Sequence, residues 1–139
     1  MPEPAPPGRI LETALYVGDL DAAEDFYGAL IGLKRVLRAG ERHVFFRCGP
    51  GLLLVFNAAE TRRPAEGGPP VPPHGATGPG HVCFAATAAE LDAWRARFAA
   101  AGVAVEADFT WPNGACSIYV RDPAGNSVEF AEPALWDDP

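Results

Sequence analysis

Three residues break apolar strand patterns with side chains that bind cations. Glu12 interrupts the apolar, β-branched segment Ile10–Val17. A carboxylate buried there must be paired, protonated or bound to a cation. His81 opens the apolar run His81–Ala86. Glu129 lies between Val128 and Phe130 and faces away from both. A carboxylate–imidazole–carboxylate set suits a borderline or hard divalent metal such as Fe, Mn, Ni, Zn or Co. Two carboxylates would neutralise the ion. Its open positions would take a substrate with two adjacent oxygens and polarise them. Glu129 or Glu12 could then act as general base. Taken singly, each residue also fits a plainer account. A strand carboxylate often edges a sheet, and a lone histidine is often a hydrogen-bonded core or surface residue. What joins the three is their equivalent placement in a repeat.

A wider circle surrounds them. His43 lies in an apolar strand and could point into a cleft. His74 lies in a Pro-rich segment and could close over the site as a ligand or proton shuttle near neutral pH. It equally fits a solvated loop. Arg47 could bind a carboxylate. Trp111, before Pro112-Asn113-Gly114, could form an apolar wall or flap, and Tyr119 could line a pocket. Packing or surface roles fit these three as well.

The elements that must position these residues repeat. Ile10–Val17 reads as a strand with Leu11, Thr13, Leu15 and Val17 on one face. Ile10, Glu12, Ala14 and Tyr16 take the other. Asp19 or Asp21 offers a helix N-cap, and Glu24 three residues after Asp21 suggests a capping box. Ala23, Phe26, Tyr27, Leu30 and Ile31 follow at helical spacing, and Gly32 stops the helix. Strands are expected near Lys34–Arg38, Arg42–Cys48 and Gly51–Asn57, with Gly40 and Gly49-Pro50-Gly51 as turns.

The second half follows the same order. His81–Ala86 is a strand. Thr87 and Glu90 make a capping box, with Leu91, Trp94, Phe98 and Ala101 as the buried stripe and Gly102 as the stop. Strands near Val103–Ala107, Cys116–Arg121 and Ser127–Ala131 come next, the last two joined by the turn Asp122–Asn126. The fold class is therefore α+β, with two tandem βαβββ modules forming a curved, barrel-like mixed sheet around a cleft. Such clefts hold small ligands. The modules span 10–57 and 80–133, and form one domain. A Pro-rich tail (1–9), a Pro/Gly-rich linker or lid (58–79) and a short C-terminal tail (134–139) complete the chain.

Composition narrows the function. Among 139 residues the net charge is −7, which disfavours nucleic acid, since phosphate binding needs a basic face. It would attract cations, and serves solubility equally well. No apolar run is long enough for a membrane span, and the N-terminus does not read as a signal peptide. Three widely spaced cysteines, none in a CxxC, fit reduced thiols in a cytoplasm.

Three motifs carry a family resemblance over roughly Ile10–Pro133. The strand at Ile10–Val17 leads into Asp19-Leu20, a helix with Phe26-Tyr27, and Gly32-Leu33. Gly80-His81-Val82-Cys83-Phe84 opens the second half. Tyr119–Phe130, with Asp122-Pro123-Ala124-Gly125-Asn126 and Glu129 three residues later, closes it. Together they resemble the vicinal-oxygen-chelate superfamily of glyoxalases, bleomycin-resistance proteins and extradiol dioxygenases. The resemblance implies metal ligands at Glu12, His81 and Glu129. It places Leu54 where glyoxalase-type members carry a fourth, glutamate ligand. It further implies a homodimer, with modules pairing within or across chains. Two functions fit. One is a metal-dependent enzyme on a small oxygenated substrate, with lyase or isomerase chemistry ahead of dioxygenase. The other is a metal-free, bleomycin-resistance-like protein that sequesters a cationic small molecule.

Overall fold

A computed structural model describes residues 2–137. The chain divides into two compact units at Gly75 and Ala76. Each unit is one four-stranded mixed sheet with its helix, so the expected α+β tandem architecture holds. The strands form two separate sheets, each with open edges, rather than closing into a barrel.

In the first unit β1 (Glu12–Val17) runs parallel to β4 (Gly51–Asn57). β3 (His43–Cys48) and β2 (Lys34–Ala39) extend the sheet antiparallel, in the order β1-β4-β3-β2. The strand begins two residues later than its apolar pattern suggested, and Ile10 and Leu11 are exposed. One face carries Leu15, Val17, Val44, Phe46, Leu53 and Val55, all buried. Helix α1 (Leu20–Ala23) and the π-helical stretch that continues it (Glu24–Leu30) contribute Leu20, Phe26 and Tyr27 to this core. The wide turns end with the Ile31 amide donating to the Phe26 carbonyl at 2.9 Å. A Cβ at Gly28 would stand 3.4 Å from the Phe46 ring, so this turn packs closely on β3.

Asp19 is the cap, accepting from the Ala22 amide at 3.0 Å. The expected capping box between Asp21 and Glu24 does not form. Both carboxylates turn to guanidinium groups instead: Arg38 reaches Asp21 at 2.6 Å and Glu24 at 2.9 Å, and Arg35 reaches Glu24 at 2.9 Å. A charged hydrogen bond is the stronger partner than one backbone amide. Arg35 above all, then Arg38, holds the Glu24 carboxyl below its usual range, against the opposing effect of partial burial.

The second unit repeats the order as β5-β8-β7-β6, with β5 (His81–Ala85) parallel to β8 (Ser127–Ala131) and β7 (Cys116–Arg121) antiparallel to both β8 and β6 (Ala107–Thr110). Helix α3 (Ala88–Ala100) starts at the predicted capping box of Thr87 and Glu90. Its Trp94 and Phe98 rings pack on Phe130 of β8, at 4.7 and 5.7 Å between centroids. Burying such a side chain stabilises by roughly 1.5–3 kcal/mol. Strand β6 lies about one turn of chain beyond the expected Val103–Ala107. The Val103 amide still closes the helix end on the Phe98 carbonyl at 2.9 Å, and the Trp111–Gly114 turn fixes the hairpin register.

Two short elements stand where loop was expected. Asn57 caps α2 (Ala58–Thr61) through the Ala59 amide at 3.2 Å, before the prolines begin. A 3-10 turn, Pro133–Trp136, follows β8. No helix among the described residues is long and apolar enough to cross a membrane.

Candidate functional site

The closing turn sets the site. Asp122 Oδ1 accepts from the Ala124 and Asn126 amides at 2.9 Å each, and Asp122 Oδ2 from Asn126 Nδ2 at 2.8 Å. Gly125, at φ +88°, completes a backbone that a side chain would strain. Asn126 Oδ1 then accepts from the Gly80 amide at 2.7 Å. The turn therefore pins the start of β5 against β8 and puts His81 opposite Ser127 and Cys83 opposite Glu129.

That register brings His81 and Glu129 together. Their Nε2 and Oε1 atoms stand 3.3 Å apart. His81 Nδ1 lies 3.1 Å from the Ser127 carbonyl oxygen. A carbonyl only accepts, so the Nδ1 proton is fixed there and Nε2 faces the carboxylate. Two electron-rich atoms so placed need a proton or a cation between them. The Glu129 side chain is 7% exposed and that of His81 is 51% exposed, so the pair is approached from the histidine side.

Glu129 is held from several directions. Ser117 Oγ donates to its Oε2 at 2.7 Å. Tyr119, its cross-strand neighbour on β7, stands on the same face beside it. Burial first, then the nearby Glu129 carboxylate, pushes the phenol up to about 12. Cys83 is the neighbour on β5. Burial and the Glu129 charge push its thiol up to about 12 as well. Both groups therefore keep their protons at neutral pH. Tyr119 also stacks near His81 and on Phe109, at 6.3 and 5.9 Å between centroids.

The other predicted residues lie in the first unit, apart from Trp111. Glu12 is at the start of β1, exposed, with no hydrogen bond or ion pair among the described residues, so it is not the buried carboxylate the pattern suggested. Its face of the sheet continues through Tyr16, Leu54 and Phe56 to Arg47, Phe45 and His43. His43 stacks on Phe45 at 4.2 Å, and its Nδ1 is buried without a hydrogen-bond partner. Burial, then the Arg42 charge, pushes this imidazole below its ordinary value. His74 Nδ1 pairs with the Tyr16 hydroxyl at 2.7 Å, and its ring meets Phe56 edge-on at 4.6 Å. Its backbone amide donates to the Thr61 carbonyl at 2.9 Å. Arg47 is exposed on β3, opposite Lys34 and Leu52.

Trp111 is an anchored residue rather than a free flap. Its Nε1 donates to Ser117 Oγ at 2.8 Å. Ser117 and Cys83 escaped the sequence reading. Their signal was positional: each sits on the Glu129 face of a strand next to β8. Within neither unit do three His, Cys, Asp or Glu side chains among the described residues gather as a metal would need. The His81–Glu129 pair fits two positions of such a site. Its imidazole donates its remote N–H to a backbone carbonyl, the usual support for a metal-binding histidine.

A family model described as the Glyoxalase/Bleomycin resistance protein/Dioxygenase superfamily matches residues 9–130. The fold is similar to a lactoylglutathione lyase from Agrobacterium tumefaciens, with 51% identity and a TM-score of 0.91. The match covers 96% of this chain and 100% of that one. It is also similar to a glyoxalase/bleomycin resistance protein/dioxygenase from Nocardioides, with 21% identity and a TM-score of 0.73, covering 98% and 90%. The latter likeness bears on the fold alone. No curated protein matches the chain. On the matched length and the shared architecture, the chain belongs to the Glyoxalase/Bleomycin resistance protein/Dioxygenase superfamily.

Proposed function

We propose that the chain is a divalent-metal-dependent lyase or isomerase acting on a small substrate that presents two adjacent oxygens. Its ligands are Glu12, His81 and Glu129. The observation that carries this reading is the facing pair, His81 Nε2 and Glu129 Oε1 at 3.3 Å, with the opposite imidazole nitrogen held by a carbonyl. The 51% identical relative named a lactoylglutathione lyase supports the reaction class. A lactoyl group carries a hydroxyl and a carbonyl on adjacent carbons, the donor pattern the substrate needs.

The bound ion would polarise those two oxygens and stabilise the anion formed next to them. The protein's own groups divide the remaining work. Glu129 is tied by Ser117 and flanked by Tyr119 and Cys83 on the neighbouring strands, so it stays in place. Glu12 is untied and exposed, so it is the carboxylate better able to take a proton from carbon and return it. Glu12 and the His81–Glu129 pair lie in different units, and a second copy of the chain as the source of Glu12 fits the proposed homodimer.

Metal-free capture of a cationic molecule is the second reading. One observation favours it: Tyr16, Phe45, Phe56 and His43 cluster on one sheet face, a surface that attracts cations. Elemental analysis of protein purified without chelator separates the two. Near-stoichiometric metal in the wild type, lost in His81→Ala, is expected. Metal retained by His81→Ala overturns the ligand set. No uptake from Fe, Mn, Ni, Zn or Co favours capture.

A further inference from the structure

Ser117 is fully buried in β7, and its one proton has only one direction to take. The Trp111 indole N–H, a donor only, points at Ser117 Oγ from 2.8 Å. The hydroxyl proton must therefore turn away from the indole, toward Glu129 Oε2 at 2.7 Å. Trp111 is itself fixed. Its amide donates to the Ala115 carbonyl at 2.8 Å, its carbonyl accepts from the Gly114 amide at 2.9 Å, and its ring packs edge-on against Phe109 at 4.8 Å.

The first unit shows what happens without this pair. Phe56 pairs with His43 as Ala131 pairs with Ser117, and Phe45 pairs with Leu54 as Tyr119 pairs with Glu129. Where leucine replaces the carboxylate, no serine stands behind it, and the histidine at that place has a buried nitrogen without a partner. At these two equivalent positions, hydroxyl and carboxylate occur together in one sheet and are both missing from the other.

We propose that Ser117, with its proton direction set by Trp111, is a positioning residue that presents Glu129 to the metal through Oε1 alone. This rests on the metal-dependent reading above. With Oε2 capped by a hydroxyl donor, the carboxylate offers one oxygen beside His81 Nε2. Each member of the relay then contributes to the geometry of the ion without touching it.

The test titrates the full-length, metal-free protein with Co(II) and Zn(II) by calorimetry and records the visible spectrum of the Co(II) form. Ser117→Ala is expected to weaken binding by about 10–100-fold and to change the Co(II) spectrum. Ser117→Thr, which restores the hydroxyl, should return both toward wild type. Trp111→Phe should give a smaller loss in the same direction, and it carries the test if Ser117→Ala does not fold. Unchanged affinity and spectrum in a folded Ser117→Ala or Trp111→Phe protein overturn the positioning role alone. Failure of the wild type to bind either metal overturns the metal reading and this inference with it.

Discussion

Leu54 and Glu129 occupy the same place in the two sheets. Leu54 pairs with Ala14 on the parallel side and Phe45 on the antiparallel side; Glu129 pairs with Cys83 and Tyr119 in the same two directions. Glu12 and His81 correspond likewise, opposite Leu52 and Ser127. The repeat thus supplies two pairs of equivalent positions; three of the four hold a carboxylate or imidazole and the fourth is a buried leucine.

Leu54→Glu tests that gap. The substitution removes a buried leucine and places a carboxylate among Phe45 and Phe56, so the metal-free protein should lose about 1.5–3 kcal/mol or more. If the position completes a metal site, saturating Co(II) or Ni(II) should return much of the lost thermal midpoint, because ligand binding stabilises the folded state. Thermal denaturation with and without metal reads both effects. A variant whose midpoint ignores metal would remove Leu54 from the site.

His43 makes a pH prediction. Its folded pKa is lowered, chiefly by burial. The folded state then binds a proton less readily than the unfolded one, so stability rises with pH across the interval between the two values. The contribution is complete above about 6.5, the usual value for a free histidine, and is lost as pH falls through the lower folded value. Urea midpoints at pH 7.5 and pH 5.5 should fall for the wild type and fall less for His43→Phe, which keeps a ring stacked on Phe45. Equal pH sensitivity in the two proteins would assign the effect elsewhere.

The contact between His74 and Tyr16 ties the Pro-rich segment to β1. Tyr16→Phe keeps the ring and deletes the hydroxyl. A net loss of about 0.5–1.5 kcal/mol is expected. The local consequence should be larger than the global one. Faster hydrogen exchange at the His74 amide, which donates to Thr61, and faster proteolysis within residues 62–73 should accompany a small fall in the unfolding midpoint. Unaltered exchange there would mean that the backbone bond to Thr61 suffices.

The sequence determined the periodic parts. Alternating and helical patterns placed seven strands within a residue or two, because apolar spacing reports which face a segment buries. The Thr87–Glu90 box was legible because no stronger partner competes for Glu90. The Asp21–Glu24 box was not, because Arg35 and Arg38 come from another strand and no local pattern contains them. Strand β6 was misplaced for a similar reason: its register is set by a hairpin partner, not by its own composition. At the site, residue type and equivalent placement singled out Glu12, His81 and Glu129, whereas exposure was beyond reach. Only the tertiary structure decided that Glu129 is buried and Glu12 exposed. Only cross-strand register could bring Ser117, Tyr119 and Cys83 against Glu129 and leave His81 Nε2 facing it, because neighbours across a sheet are set by pairing and not by distance along the chain.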